Sequence, residues 1–423
     1  MQQAIDELRP CSIAELYSEH LLGQMSLFER FINENFEKLC ALESSDTFKG
    51  KQEAESEIKV FIGHIAYARE LLSKRIRKSK ISNNLSLEIT RNSEISYRNI
   101  SVPKGVVGIL LPYNFPAVVL GERLPYALAS GNAVIVKPSE IATGSVSLIV
   151  RLAIEAFGVS RVLLAESTLE AGKFLVSSDK VNMISFTGSS EQGRKVSIEC
   201  AKQLKSVSLE LGGVNFAIVD DVAALEIAVE NCVNGFLYHS GQCCISTRKI
   251  LVRNHLLETF KIRFLEKVEE RVGSGGVHRL TSLSTSYHAY MSQNHELDDV
   301  VRITNLNGPD IFIATENEEN FNDEIFGPVV FLKPYDNSKQ ALDLLNSCNY
   351  GLGLQIFSLN KVFINSFINS VNVGRIWINS SLVSSPRLRI GGYGLSGNSW
   401  IGGDVALDDY SSWKAIVVEG QEF

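Results

Sequence analysis

The stretch GVVGILLPYNFPAVVLGERLPYALASGNAVIVKP, residues 105–138, decides the fold. Uninterrupted apolar runs lie at its two ends, at 105–112 and 132–138, and a segment with helical spacing, 117–129, lies between them. An apolar run without polar alternation is typical of a strand that is buried on both faces, as in a parallel sheet. The stretch therefore predicts a strand–helix–strand unit with parallel strands.

The same alternation continues to residue 203. The runs RVLLAES (161–167) and VNMISFTG (181–188) predict two more buried strands. The remaining segments predict helices at 142–156, 169–177 and 190–203. Alternation of this length indicates a doubly wound parallel sheet, which binds its ligands where the strands end and the helices begin.

From about Gly213 the alternation starts again and predicts a second α/β domain. The predicted strands are NFAIV, KILVR, VVFLKPY, LQIFS and RIWIN, and the predicted helices are 223–236, 256–270, 338–346 and 361–370. Residues 272–310 are rich in Ser, His and Gly, and we predict one helix among them, near 296–306. At the other end, residues 13–77 have the apolar spacing of two or three helices, whereas 85–102 alternates and predicts exposed antiparallel strands.

Composition excludes several classes of protein. With 423 residues, of which 45% are apolar and 21% charged, the chain can build large cores, so disordered and collagen-like chains are excluded. The net charge of −7 predicts neither nucleic acid nor a membrane as a partner. Seven unevenly placed cysteines argue against a disulfide framework, and the N-terminus does not resemble a signal peptide. We therefore expect a soluble cytoplasmic protein, without a metal site.

Two motifs contain candidate reactive groups. In GQCC (241–244), a cysteine that follows a helix and precedes a buried strand could have its thiolate favoured by local dipoles, which suits a nucleophile. The alternative is a small pair of buried thiols. In SLELGG (208–213), Glu210 between apolar residues is a candidate for a desolvated general base, and an ordinary edge-strand residue is equally compatible with the pattern.

Two further motifs lie at predicted strand ends. In LPYNFP (111–116), two prolines restrict the turn, and the Asn114 amide could donate hydrogen bonds to a developing oxyanion, although a purely structural turn fits as well. In FTGSSEQG (186–193), glycines and hydroxyls at a strand-to-helix turn could face a pyrophosphate. That turn lacks the GxGxxG pattern, so it is weak evidence by itself.

Taken together, these motifs are much more specific. Asn114, Lys137, FTGS, SLELGG and GQCC have the order and spacing of the aldehyde dehydrogenase superfamily, which the chain resembles from about residue 25 to its end. Matching segments downstream are EIFGP (324–328), NYGL (349–352), GRIWIN (374–379) and GG…SG (391–397). The resemblance implies a Rossmann-like parallel cofactor domain, a second α/β catalytic domain and a small oligomerisation β-sheet.

The resemblance also implies roles for individual residues. Cys244 would attack the aldehyde to give a thiohemiacetal, Asn114 and the Cys244 backbone N–H would hold the oxyanion, and Glu210 would activate water to hydrolyse the resulting thioester. Cys243 corresponds to a variable position that packs. The implied cofactor-binding residues are Pro112, Tyr113, Lys137, Glu140, Gly188, Ser189, Leu211, Glu324 and Phe326. Among them Lys137 and Glu140 would bind the adenosine ribose, so NAD is expected, with NADP as an alternative.

The resemblance also suggests a domain division. It assigns 1–84 with 103–212 to the cofactor domain, 213–403 to the catalytic domain, and 85–102 with 404–423 to oligomerisation strands. A homodimer or homotetramer is expected, because an unpaired edge with the apolar residues of 413–418 would aggregate.

The chain departs from the family at several points. The N-terminus and region 272–310 are shorter than usual, and Val214 and Gly394 replace common lysines. Three interpretations remain open: an active hydrolytic dehydrogenase, an impaired relative with a binding or structural role, and an acyl-transferring or reductive enzyme. Glu210 disfavours the last. Tyr113, Arg248 and Ser-Gly-Asn at 396–398 are similar to the succinylglutamate-semialdehyde dehydrogenase branch, which suggests a small acidic semialdehyde, although a structural salt bridge is the favoured role for Arg248.

Overall fold

The computed structural model describes residues 1–81, 89–92, 95–275, 285–293, 300–304, 309–315 and 322–419. The strands are β1 Ile89–Asn92, β2 Ile95–Pro103, β3 Val106–Leu110, β4 Ala133–Lys137, β5 Val162–Leu164, β6 Met183–Thr187, β7 Ser206–Glu210, β8 Asn215–Val219, β9 Thr247–Arg253, β10 Val300–Ile303, β11 Ile311–Thr315, β12 Val329–Tyr335, β13 Tyr350–Gly351, β14 Leu354–Phe357, β15 Ile376–Ile378, β16 Ile390–Gly391, β17 Tyr393–Gly394, β18 Trp400–Ile401 and β19 Ser411–Glu419.

The helices follow the same order. They are α1 Gln2–Asp6, α2 Ile13–Leu16, α3 Glu19–Glu34, α4 Phe36–Thr47, α5 Lys51–Ile81, α6 Pro116–Gly121, α7 Leu124–Ala129, α8 Gly144–Phe157, α9 Leu169–Ser177, α10 Ser190–Ala201, α11 Leu225–Leu237, α12 Leu257–Gly273, α13 Thr285–Gln293, α14 Ser338–Asn346 and α15 Lys361–Ile368. Among the described residues, no helix has both the length and the apolar character that crossing a membrane requires.

The first sheet has the strand order β5-β4-β3-β6-β7 and is parallel throughout. Helices α3, α5 and α8 pack on one face, where the Phe28 ring meets those of Phe61 and Phe157 edge-on. Residues of α1, α9 and α10 pack on the other face. This doubly wound sheet confirms the predicted fold of 105–203, and β7 adds the SLELGG segment as an edge strand.

The predicted helix 117–129 is two helices, α6 and α7, rather than one. The chain breaks at Arg123, whose backbone is not helical (φ −131°, ψ −58°). Pro125 lies in the first turn of α7, where its missing N–H costs nothing. In a continuous helix the same position would leave the Gly121 carbonyl without its hydrogen-bond donor. The break lets the Arg123 side chain turn fully into the core.

The second sheet has the order β10-β11-β12-β9-β8-β14-β15, and its strands are parallel except for β10. Helices α11 and α12 cover one face, and α13, α14 and α15 cover the other. The helix predicted near 296–306 is wrong over residues 300–303, which form β10 antiparallel to β11. Val300, Val301 and Ile303 are β-branched and favour a strand. The rest of that prediction, apart from Thr304, lies outside the described residues.

A third, antiparallel sheet joins β1, β2 and β19. Strand β19 pairs with β2 from Ser411↔Pro103 to Glu419↔Ile95. Strand β1 and all of β2 except Pro103 fall within the predicted alternating run, whereas residues 85–88 and 93–94 of that run lie outside the described residues.

The two parallel sheets meet end to end. Strands β3, β6 and β7 of the first sheet end at residues 110, 187 and 210, next to the opening that the loops before β8, β9, β12 and β15 of the second sheet also line. The C-terminal edge of one sheet therefore faces the N-terminal edge of the other, and this junction contains the candidate site.

Candidate active site

A cavity of about 1160 Å³ lies at the junction of the two sheets. Pockets for drug-sized ligands fall at about 300–1,000 Å³, so this cavity has room for more than one small molecule. Ten of the twelve site residues predicted from the sequence line it: Pro112, Tyr113, Asn114, Gly188, Ser189, Glu210, Leu211, Cys244, Glu324 and Phe326. The structure thus brings together residues that are far apart in the sequence.

The segment between α11 and β9, residues 238–246, presents Cys244 to this cavity and is called the cysteine loop; its backbone is strained. His239 (φ 48°, ψ 44°) and Ser240 (φ 54°, ψ 34°) are both in the left-handed region and buried, and Gly241 follows with φ +73°. Left-handed non-glycine residues cost about 1–3 kcal/mol each and cluster at functional sites. A Cβ on Gly241 would lie 2.3 Å from the Gly327 carbonyl oxygen, so only glycine fits there.

Arg248 ties the cysteine loop to the segment before β12. Its buried guanidinium donates to the Gly327 carbonyl at 2.5 Å and to the Gly241 carbonyl. Burial lowers the pKa of Arg248 to about 10, and Glu324 opposes the shift. Among the described residues Arg248 forms no ion pair, so the salt bridge that we favoured from the sequence is wrong there: its hydrogen-bond partners are carbonyls, and it connects two loops.

Asn215, which the sequence analysis did not single out, holds the other side of the loop. Its Nδ2 donates to the carbonyls of Cys244 (2.7 Å) and Ser246 (3.0 Å). Asn215 is the first residue of β8 and lies two residues after the SLELGG motif. Its hydrogen bonds therefore connect that motif directly to the cysteine loop.

Asn114 reaches the same loop from the end of β3. Its Nδ2 donates to the Gln242 carbonyl across 2.8 Å, and the residue is buried. The second N–H of the amide makes no hydrogen bond to any described residue. It is therefore available to an oxygen atom near Cys244.

Glu210 ends the edge strand β7 and has the electrostatics of a general base. Burial raises the pKa of Glu210 to about 7; Arg123 opposes the shift and Glu122 adds to it. Ser399 Oγ donates to Glu210 Oε2 at 3.2 Å. A carboxyl with a pKa close to neutral pH can both accept and return a proton.

The Ser-Gly-Asn segment holds β7 in place. The backbone N–H groups of Asn398 and Ser399 donate to the Leu209 carbonyl, and Asn398 Oδ1 accepts the Leu209 N–H at 3.0 Å. Leu211 N donates to the Ser396 carbonyl at 3.0 Å. These contacts give 396–399 a role in positioning Glu210, which sequence similarity alone did not suggest.

The protonation state of Cys244 differs from the sequence expectation. The hydrogen bond that the Cys244 thiol donates to Cys243, burial, and the charges of Cys243, Glu210 and Glu122 all raise the pKa of Cys244. The expected stabilisation of a thiolate by local dipoles is thus opposed chiefly by this hydrogen bond and by burial, and less by the two carboxylates. Cys244 is half-buried at the cavity wall, whereas Cys243 is buried and packs in the core, as predicted.

The other half of the cavity has the features of a dinucleotide site. Glu324 Oε1 accepts the Gly213 N–H at 2.9 Å, and a Cβ on Gly212 would lie 2.0 Å from Glu324 Oε2. The rings of Tyr113 and Phe326 meet edge-on with centroids 6.4 Å apart. Gly188 and Ser189 lie at the β6–α10 turn, where Ser189 Oγ caps the helix by accepting the Gln192 N–H.

Lys137 and Glu140 are the two predicted site residues that do not line the cavity. Ser139, which lies between them, does line it. Burial lowers the pKa of Lys137 and the charge of Glu140 opposes this shift, so the two side chains are electrostatic neighbours. Glu140 is exposed.

Comparison with known proteins agrees with this arrangement. The model of the Aldehyde dehydrogenase family matches residues 22–416. The chain is 28% identical to Aldehyde dehydrogenase family 2 member C4 of Arabidopsis thaliana, over 92% of this chain and 81% of that protein. It is also 28% identical to a probable NADP(+)-dependent succinate-semialdehyde dehydrogenase of Sinorhizobium fredii, over 93% of this chain and 82% of that protein.

Solved structures are similar over the whole fold. The NAD-dependent aldehyde dehydrogenase of Sinorhizobium meliloti superposes with a TM-score of 0.86 at 27% identity, covering 100% of this chain and 87% of the other. The betaine aldehyde dehydrogenase of Staphylococcus aureus in complex with NAD+ has a TM-score of 0.85 at 24% identity, covering 95% and 83%.

Proposed function

Because the chain belongs to the aldehyde dehydrogenase family and oxidises an aldehyde to the carboxylic acid with NAD(P), we propose that Cys244, Glu210 and Asn114 carry out its chemistry. One observation carries this assignment: the three side chains line one cavity, and the pKa of Glu210 is raised to about 7. An impaired relative would have no need to keep a desolvated carboxylate beside a half-buried thiol, since burying that charge destabilises the fold.

The first step needs a base, because the raised pKa keeps Cys244 protonated at neutral pH. Ionised Glu210 accepts the thiol proton, and the sulfur forms a bond to the aldehyde carbon to give a thiohemiacetal. The carbonyl oxygen gains the negative charge. The free N–H of the Asn114 amide and the backbone N–H of Cys244 donate to it.

The residues of the second half of the cavity fit NAD(P). Glu324, held by the Gly213 N–H, can accept ribose hydroxyls, and the glycine turn at Gly188 places backbone N–H groups at the start of α10, where a pyrophosphate is favoured. Pro112, Tyr113, Leu211 and Phe326 supply apolar wall on the same side. When bound, the oxidised nicotinamide supplies the hydride acceptor that turns the thiohemiacetal into a thioester.

Glu210 acts again in the last step. Protonated Glu210 first gives the thiol proton to solvent, and the ionised carboxylate then accepts a proton from a water molecule whose oxygen attacks the thioester carbon. The C–S bond breaks, the carboxylic acid leaves, and Glu210 returns the water proton to the Cys244 sulfur. An acyl-transferring enzyme would not need this base, so the hydrolytic assignment depends on Glu210.

The test is a spectrophotometric assay for reduced nicotinamide with a panel of aldehydes, with the acid product measured by chromatography. We expect one acid per reduced cofactor. Aldehyde consumption without reduced nicotinamide, or reduced nicotinamide only when coenzyme A or phosphate is added, would contradict the proposal.

We further propose that the protein is a homodimer or homotetramer in the cytoplasm. Among the described strands, β19 pairs with β2 alone, and its Trp413 and Val417 are 49% and 66% exposed. An apolar edge of this kind is stabilised by pairing with a second copy. The seven free cysteines suit a reducing compartment.

A further inference from the structure

Arg375 is a cation in the cavity wall that the proposed chemistry does not use. It directly precedes β15 and lines the same cavity as Cys244 and Glu210. Its guanidinium lies 5.1 Å from the centroid of the Trp377 ring, and its Nε is buried without a hydrogen-bond partner. Within the described part of the chain, Arg375 makes no side-chain hydrogen bond and no ion pair. A buried donor left in this state costs free energy that a ligand can recover.

The neighbouring carboxylates do not pair directly with Arg375. Glu122, the carboxylate that lines the cavity near it, has its own cation: Arg123 Nη1 lies 3.1 Å from Glu122 Oε2. Glu210, with a pKa raised to about 7 by burial, is only partly ionised at neutral pH. Arg375 therefore interacts with these two carboxylates at a distance and forms a direct ion pair with neither of them.

We propose that Arg375 binds the carboxylate of an aldehyde that has an acid group at its other end, so that the substrate is an acidic semialdehyde. A planar guanidinium binds a carboxylate through two parallel N–H···O hydrogen bonds, which fixes orientation as well as affinity. Stacking on Trp377 holds the plane of that guanidinium. This inference rests on the proposed function, since it assigns the substrate of that same site.

Two other roles are compatible with an unpaired cation there. Arg375 could compensate the charges of Glu210 and Glu122, on both of which it acts. It could also contact a phosphate of the cofactor. Each role predicts a different effect of removing Arg375 on kcat/KM for a charged and an uncharged aldehyde. A matched pair of such aldehydes therefore distinguishes the roles.

The experiment compares 4-oxobutanoate with its uncharged methyl ester. We expect the wild-type protein to prefer the acid in kcat/KM. Arg375→Gln should lower kcat/KM for the acid about tenfold to hundredfold, mainly through KM, and leave the ester within about twofold. Arg375→Lys should restore part of the loss. Arg263→Gln is the matched control, because Arg263 is exposed on α12 and pairs with Glu226.

A second measurement does not require turnover. Calorimetry should detect succinate binding to the wild-type protein and a clear loss of binding in Arg375→Gln. An equal loss with acid and ester would assign Arg375 to charge compensation, and a rise confined to the KM of NAD would assign it to the cofactor; either would overturn the proposal. If the wild-type protein has equal kcat/KM for the ester and the acid, this inference alone is refuted. If it oxidises no aldehyde, the proposed function is refuted.

Discussion

Ser399 Oγ donates a hydrogen bond to Glu210 Oε2 across 3.2 Å, between the C-terminal segment and the end of β7. Both residues are buried, and the backbone around them is paired from Leu209 to Leu211. The position of the general base thus depends on residues almost two hundred positions further along the chain.

This contact predicts a shifted pH profile for Ser399→Ala. The hydrogen bond lowers the pKa of Glu210, so its loss raises that pKa and moves the rise of kcat to higher pH. At neutral pH we expect kcat to fall about 3- to 30-fold, and to recover partly in alkaline buffer. Ser366→Ala on α15, which removes a hydroxyl bonded only within its helix, is the control. A fall in kcat that is equal at every pH would contradict this role.

The buried carboxyl also predicts pH-dependent stability. The pKa of Glu210 is about 7 in the folded protein and 4.5 for the ordinary group, so the folded state binds more protons and stability is lost as the pH rises from about 4.5 through about 7. The cost reaches about 3 kcal/mol in alkaline solution. Glu210→Gln should therefore unfold at higher urea concentration than wild type at pH above 7, but not at pH below 5. An equal gain at both pH values, or a gain in the exposed control Glu155→Gln, would rule this out.

We expect NAD to be preferred over NADP. Glu140 is exposed beside Lys137, where its charge would repel a 2′-phosphate and its oxygens could accept ribose hydroxyls. The ratio of kcat/KM for the two cofactors should favour NAD, and Glu140→Gln should reduce that ratio several-fold, with Glu155→Gln as the control. Equal or better use of NADP by the wild-type protein would contradict the assignment.

Truncation after Ser411 should convert the oligomer to monomer or aggregate. It removes the length of β19 that pairs with β2 and leaves β2 exposed. Val417→Lys is a milder test: it charges the exposed apolar surface and should weaken association without removing a strand. Sedimentation at micromolar concentration measures both. A fully active wild-type monomer would refute the proposed assembly.

The sequence predicts the parallel sheets well because strands buried on both faces leave short apolar runs, and segments with helical spacing alternate with them. The prediction fails at β10, because the polar residues around Val300, Val301 and Ile303 favour a helix in the pattern although these three are β-branched. The sequence also predicts the motif residues Cys244, Glu210 and Asn114, which the fold brings into one cavity. What it cannot predict are contacts between distant segments: the hydrogen bond from Ser399 to Glu210, the connection between two loops at Arg248 and the unpaired cation at Arg375. Arg248 and the motifs around Arg375 and next to Ser399 are recognisable in the sequence, but no local pattern indicates which distant groups these side chains contact.

The central claim is that Cys244 forms the covalent bond to substrate and that Glu210 releases the product. The most direct measurement uses Glu210→Gln, incubated with NAD and an aldehyde and then quenched for mass spectrometry. Without the Glu210 carboxylate the thiol proton must pass to solvent, so we expect a slowed burst of one reduced cofactor per active site. Hydrolysis should be slowed more, which leaves an acyl adduct on the intact protein and fragmentation that locates it on Cys244. Adding Cys243→Ala should leave the adduct in place, and Cys244→Ala should abolish it. An adduct on Cys243, or turnover by Cys244→Ala, would contradict the account.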